Sequence, residues 1–269
     1  MEKFIDVDKI LKEKNPKLAK WLPSFVIRYL KRVLHQNEIN QILNDKKGLN
    51  GFEFSKAILS DFNIKVETFG LENIPKTGGV IFASNHPLGG MDALALIQEI
   101  SKVRTDFKFV VNDVLMNLKN LEDVFVGINK YGTNSKASLQ QLNDLFASEQ
   151  AVFVFPAGLV SRKFGKTVKD LEWKKAFITR AKKFKRDVIP VFIDGELSNF
   201  FYRLYKIRKF FGIKANLELF YLIDETLKQK NKKYKIFFGK SIKYTKFDKS
   251  KSDKDWAEYV KQIVYKPIN

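Results

Sequence analysis

Two histidines occur in the 269-residue chain, and one of them stands where it can serve as a base. His86 lies in Ser84-Asn85-His86-Pro87-Leu88-Gly89-Gly90-Met91-Asp92, directly after the apolar run Val80-Ile81-Phe82-Ala83-Ser84. A neutral imidazole with a pKa near 7 can take a proton from an alcohol or amine as that group attacks a thioester carbonyl. A carboxylate on the other ring nitrogen fixes the tautomer and stabilises the imidazolium as it forms. Asp92 is the candidate for that carboxylate, because it opens the next helix and the loop can fold it back toward the ring. The acceptor is then itself the nucleophile, and no Ser or Cys nucleophile is needed. Asn85, Gly89 and Gly90 are candidates for substrate contact, the glycines because they let the backbone turn tightly or approach a ligand. His35, in Leu34-His35-Gln36, has nothing nearby to complete such an arrangement and is read as structural.

A second segment repeats the pattern of strand and polar loop. Phe153-Val154-Phe155-Pro156-Ala157-Gly158-Leu159-Val160-Ser161-Arg162-Lys163 runs from an apolar stretch through a Pro–Gly turn into polar groups. Arg162 can grip a phosphate or carboxylate with two parallel hydrogen bonds. Backbone N–H groups around Gly158, after Pro156, and the Ser161 hydroxyl can add donors. Singly, a His–Asp pair is also a common helix cap or core hydrogen bond, and a Pro–Gly turn is generic. Together, after neighbouring strands, a base and an anion clamp make a candidate active site.

These loops need a frame that presents strand ends to one cleft. Val80–Ser84 and Ala151–Phe155 are short and nearly all apolar, as in strands buried on both faces. Ile64–Gly70, Phe107–Val111, Val124–Ile128 and Val188–Ile193 also read as strands. Helices are expected at Asp92–Lys102, Lys136–Ser148 and Trp173–Lys185. The alternation predicts an α/β fold with a largely parallel central sheet flanked by helices, and ligands then bind outside the carboxyl ends of its strands. The rhythm weakens after residue 196, where Leu217–Ile223 and Lys235–Phe238 look extended within a Lys-rich region, and Asp255–Val264 closes as a short amphipathic helix. Ahead of the sheet, residues 1–62 read as a helical segment packed on the core, with a break at Pro23 and another at Gly48–Gly51. Residues 63–269 read as a single α/β domain, with no internal repeat and no linker.

Composition narrows the partners. Lys plus Arg number 49 against 30 Asp plus Glu, a net charge of +19. Such a surface is drawn to polyanions: nucleic acid, anionic lipid headgroups or acidic carriers. There is no cysteine, which excludes disulfides, a Cys nucleophile and thiolate-bound zinc; no metal site is assigned. Glu2, Asp6, Asp8 and Glu13 argue against a secretory signal peptide. No apolar run approaches the ~18–20 residues that span a bilayer.

Two stretches combine aromatics with cations. Trp21 and Phe25 lie on one side of a helical pattern whose other side holds Lys17, Lys20, Arg28, Lys31 and Arg32. Residues 197–211 hold six aromatics and four cations and no acid, among them Phe200, Phe201, Tyr202, Arg203, Lys206, Arg208 and Lys209. Rings at headgroup level and cations against anionic lipid suit a membrane interface. Helices packing their rings on a core would look similar. Single-stranded nucleic acid is also bound by rings and cations, but that reading leaves the His–Asp and Pro–Gly loops unexplained.

The two loops resemble the first and third signature blocks of the glycerophosphate/lysophosphatidate acyltransferase superfamily (PlsC-like). Those blocks are Asn-His, a spacer and Asp, and then Phe-Pro-Glu-Gly followed by a Ser/Arg pair. Val188-Ile189-Pro190-Val191-Phe192 fits a fourth block, and Phe125–Thr133 occupies the place of the second with a poor match. The resemblance covers roughly residues 65–195. Five residues separate His86 from Asp92, one more than is usual there, and Ala157 replaces the Glu that helps bind the acceptor in many members. Both departures resemble a bacterial hemolysin-like branch that includes enzymes of ornithine and glycine lipid synthesis. The resemblance implies acyl transfer from an acyl carrier protein or coenzyme A thioester to a hydroxyl or amine of a lipid precursor. It implies a base at His86 with Asp92, anion binding at Gly158, Ser161 and Arg162, no cofactor beyond the thioester co-substrate, and a doubtful fit for glycerol 3-phosphate. The expected location is peripheral or monotopic, at the cytoplasmic face of the inner membrane. A nucleic-acid-binding protein and a non-catalytic membrane-associated relative are the competing expectations.

Overall fold

The computed structural model describes residues 6–14, 16–128 and 136–266. In chain order its helices are α1 (Val7–Lys14), α2 (Pro16–Trp21), α3 (Ser24–Val33), α4 (Gln36–Asp45), α5 (Gly51–Asp61), α6 (Gly90–Ile100), α7 (Lys136–Ala147), α8 (Ala176–Lys183), α9 (Asn199–Phe210), α10 (Leu222–Leu227) and α11 (Asp253–Val264). The strands are β1 (Lys65–Phe69), β2 (Val80–Ser84), β3 (Phe107–Asn112), β4 (Phe125–Ile128), β5 (Ala151–Val154), β6 (Arg162–Phe164), β7 (Thr167–Lys169), β8 (Asp187–Asp194) and β9 (Lys233–Phe238).

Seven strands form one sheet in the order β1-β9-β8-β2-β5-β3-β4. Every pairing is parallel except β8 with β9. The expected largely parallel sheet flanked by helices is therefore the observed architecture. β2 is central because all five of its residues are buried, a composition that only a strand covered on both faces tolerates. After β4 the chain returns to β5 on one flank of β2 and later reaches β8 on the other. Strand order thus reverses around β2, the place where open α/β sheets bind ligands. Phe82, Phe109 and Phe153 stack across β2, β5 and β3 with centroids 4.3 and 4.5 Å apart. Such aromatic ladders rigidify the strands that carry the loops.

The chain divides into two compact units, Met1–Leu49 with Leu197–Lys230 and Asn50–Glu196 with Asn231–Asn269. This differs from a division at 62/63. Helix α5 goes with the sheet unit, where Phe54, Ile58 and Leu59 are buried. The stretch 197–230 goes with the N-terminal helices: the Tyr29 and Tyr221 hydroxyls lie 2.5 Å apart, and His35 reaches Asp224 at 3.2 Å. His35 sits in the left-handed region at φ 46° and also touches Glu38 at 3.2 Å, so two carboxylates flank a ring for which the sequence alone suggested no partner.

Other boundaries moved for physical reasons. Leu217–Ile223 is not extended: a 3-10 turn over Leu217–Tyr221 leads into α10. Its alternation is misleading because Glu218 is wholly buried to pair with Arg208. Helix α8 begins at Ala176 rather than Trp173, because the Trp173 indole is held by Asp170 and the Lys174 N–H by Pro156 O. The breaks near Pro23 and Gly48 fall as expected. The second-block stretch lies in β4 as far as Ile128, and the rest of it lies outside the described residues.

Within 197–211, α9 sorts its side chains. Phe200 is 47% exposed, whereas Phe201, Tyr202 and Arg208 are buried. Those three cannot touch a lipid surface; their rings and the Arg208 alkyl stem pack inward. Arg203, Lys206 and Lys209 are exposed, as are Trp21 and Phe25.

Candidate active site

The loop after β2 begins with a fastening. The Asn85 amide donates to Ile193 O at 2.9 Å and accepts from Ile193 N at 2.7 Å. With both functions engaged and the residue buried, Asn85 splices β2 to β8. Gly89 then adopts φ 69°, ψ −129°, a conformation essentially closed to side chains that turns the chain into α6. Gly90 carries no such constraint; a Cβ built there meets only open space.

This turn aims Asp92 back at the ring. His86 Nδ1 and Asp92 Oδ2 are 2.8 Å apart, and the Leu88 N–H donates to the same oxygen at 2.9 Å. Asp92 is fully buried, while the His86 side chain keeps 19% of its surface exposed. Asp92 accepts at Oδ2, so Nδ1 carries the proton and Nε2 is left with the lone pair. The other carboxylate oxygen, Oδ1, is buried without a hydrogen-bond partner among the described residues. Burial pushes the Asp92 carboxyl above its ordinary value, against the His86 and Leu88 hydrogen bonds that favour the anion. The imidazole lies over Phe155, ring centroids 4.1 Å apart at 22°. Phe155 thus fixes one face of the ring.

The Pro–Gly loop is bonded directly to the His86 loop. Gly158 N donates to Phe155 O at 2.9 Å, closing a turn that starts at Pro156. Ser161 N donates to His86 O at 2.8 Å. Asp170, which sequence reasoning missed, joins the rest. Its Oδ1 accepts from His86 N at 3.2 Å and from Ser161 Oγ at 2.5 Å, and its Oδ2 accepts from Trp173 Nε1 at 2.7 Å. Its own N–H donates to Tyr265 Oη at 2.7 Å. Burial raises the Asp170 carboxyl as well. The β6–β7 hairpin returns the chain to the site at Asp170. The only signal in the sequence was an acid three residues before Trp173.

The sequence-predicted anion-binding side chains are buried. Ser161 and Arg162 have no exposed surface. The Ser161 hydroxyl donates to Asp170, and the Arg162 guanidinium donates to the carbonyls of Val160 and Ser161 in its own segment. As placed, Arg162 ties the loop to itself. Ala157 is 6% exposed and belongs to the apolar cluster that includes Trp173 and Phe177, so this position offers a methyl group to the core and no carboxylate to a ligand. Two further residues escaped sequence reasoning. Phe155 has just been described. Gly195 is the other: a Cβ there would stand 2.8 Å from Leu88, whose N–H serves Asp92.

A buried carboxylate and a partly exposed imidazole thus meet on a fixed loop at the switch point of a largely parallel sheet. The profile of a family described as Acyltransferase matches residues 9–269, and the chain belongs to that family and is an acyltransferase. It is 46% identical over 264 residues to the lyso-glycine lipid O-acyltransferase of Bacteroides thetaiotaomicron, covering 98% of this chain and 97% of that protein. The protein of the same name from Phocaeicola vulgatus is 44% identical over 264 residues, covering 98% and 95%. Among solved structures, the 1-acyl-sn-glycerophosphate acyltransferase PlsC of Thermotoga maritima aligns with TM-score 0.50 over 97% of this chain and 91% of its own. At 17% identity that likeness concerns the fold. The resemblance read from the two loops is thus borne out for the family.

Proposed function

We propose that this acyltransferase moves a fatty acyl group from an acyl thioester to the hydroxyl of a lyso-glycine lipid, with His86 as general base. The observation that carries the mechanism is the 2.8 Å contact of His86 Nδ1 with a fully buried Asp92. Nε2 takes the proton of the acceptor hydroxyl as its oxygen bonds to the thioester carbonyl carbon. The C–S bond then breaks, and the imidazolium returns the proton to the departing thiolate. Asp92 stays ionised and holds the ring. Identity near 45% over almost the whole of two curated lyso-glycine lipid enzymes supports the acceptor. Ala157, in place of a carboxylate, supports an acceptor other than glycerol 3-phosphate. The donor is an acyl carrier protein or coenzyme A thioester.

The acceptor is a membrane lipid, and the reading extends to peripheral action on an anionic bilayer at the cytoplasmic face of the inner membrane. No helix among the described residues is long and apolar enough to cross a membrane. Helix α3 supports docking: it is amphipathic yet has no buried residue, and Trp21, Phe25 and Tyr29 are 79%, 66% and 51% exposed. Arg28 is exposed beside them.

The test is acyl transfer from both thioesters to lyso-glycine lipid and to lysophosphatidate. His86→Ala and Asp92→Asn are expected to lower turnover by about 10²–10⁴-fold. Undiminished activity in both variants would falsify the base. Preference for lysophosphatidate would overturn the acceptor.

A further inference from the structure

We propose that the turn Phe210-Phe211-Gly212-Ile213-Lys214 at the end of α9 is a preformed membrane-insertion tip, held in shape by a buried Arg208–Glu218 pair. The inference rests on the reading that the acceptor is a membrane lipid. Phe210, Phe211 and Ile213 are 84%, 69% and 41% exposed. Three large apolar side chains on one short turn are costly in water and gain on entering an apolar phase.

The turn is not loose chain. Gly212 takes φ 65°, its N–H donates to Lys209 O at 3.1 Å, and Ile213 N donates to Arg208 O at 3.0 Å. This is the Schellman ending of a helix, which closes the last carbonyls and throws the next residue outward. Beneath it, Arg208 Nε and one Nη meet the two oxygens of Glu218 at 2.8 and 3.1 Å. The other Nη donates to Ile213 O at 2.7 Å, and Asn216 Oδ1 accepts a further bond at 2.9 Å. Arg208 and Glu218 are buried at 6% and 0% exposure. A buried pair that bonds the turn's own carbonyl fixes conformation, so insertion costs little ordering. Phe210 and Phe211 meet edge to face, centroids 5.2 Å apart, and present one joint apolar knob.

Charge selects the occupant. Lys206, Lys209 and Lys214 are exposed around the knob, and residues 199–217 contain no acid. An apolar point flanked in sequence by exposed lysines complements the acyl region of a bilayer beneath anionic headgroups. It fits a neutral protein groove or a second copy of this equally basic chain less well.

The absence of cysteine makes the test direct. Phe211→Cys, labelled with an environment-sensitive fluorophore, is mixed with vesicles of phosphatidylglycerol and phosphatidylcholine. Lys232→Cys, exposed in the other unit, is the control. Emission at 211 should shift to the blue and be quenched by brominated acyl chains, while emission at 232 stays water-like. Phe210→Ser with Phe211→Ser should weaken vesicle binding by about tenfold per ring, with turnover of detergent-dispersed acceptor retained. A water-like label at 211 on vesicle-bound protein overturns the proposal. So does a wild-type dimer that the double variant makes monomeric with vesicle binding unchanged. Because binding is read without substrate, failure of the glycine-lipid assignment would leave these results standing.

Discussion

Asp170 gathers donors from three places: the His86 backbone, the Ser161 hydroxyl and the Trp173 indole. Asp170→Ala strands all three in a buried setting, at about 1–3 kcal/mol for each donor left unpaired. Denaturant unfolding should register the sum, and Ser161→Ala, which removes a donor, should cost far less. Equal losses in the two variants would show that the network is not centred on Asp170. Asp92 adds a pH dependence. Burial raises its carboxyl from the ordinary value of 3.8, so the folded chain holds that proton more tightly than the unfolded chain does. As pH climbs above 3.8 the unfolded chain releases the proton first, and folded stability falls. Asp92→Asn removes that penalty. Relative to wild type, its melting temperature should rise as pH climbs from 3.8 until the folded carboxyl has ionised as well. A difference that is flat or shrinks over that range would contradict the sign. The unpartnered Oδ1 fits the same picture of a site that gives up stability to hold a carboxylate beside His86.

Elements that position His86 were legible where their physics is local. β2, β5 and β8 announced themselves as apolar runs, and the His86 loop could be placed at a strand end from that alone. The β6–β7 hairpin was not legible. Its strands are three residues each, Arg162–Phe164 and Thr167–Lys169, too short to show a period. Asp170, and the hydrogen bonds of Arg162 to its own loop, disappeared with it. Aromatic-plus-basic composition likewise located α9 without telling which rings point inward, since Phe201 and Phe200 are adjacent and only one is buried. Nor could the sequence disclose Gly195, which matters only because Leu88 packs against it from a hundred residues away. Gly195→Ala forces Leu88 to shift and is expected to cost about 1–3 kcal/mol by overpacking. It should also lower kcat, because the Leu88 N–H is drawn off Asp92. A thermal melt with a turnover assay checks both, and an unaltered kcat in a destabilised variant would separate packing from positioning.

Across the whole molecule, the largest departure from sequence reasoning is the discontinuous unit made of Met1–Leu49 and Leu197–Lys230. No composition shift marks it, because it is defined by contacts such as His35 with Asp224 between distant stretches. The sheet unit is discontinuous too, and its order has a consequence in time. β1 pairs with β9 and with no other strand of the sheet, and Asp170 is completed by Tyr265. The first strand made therefore waits for one of the last. At about 5–20 residues per second of synthesis, that interval is on the order of ten seconds or more. Throughout it β1 offers an unpaired edge, a ready template for wrong partners. A nascent chain stalled before Lys233 should accordingly be captured by a general chaperone and be protease-sensitive at β1. Release of the full chain should end both, so that the enzyme gains its frame and its active site in a single late event.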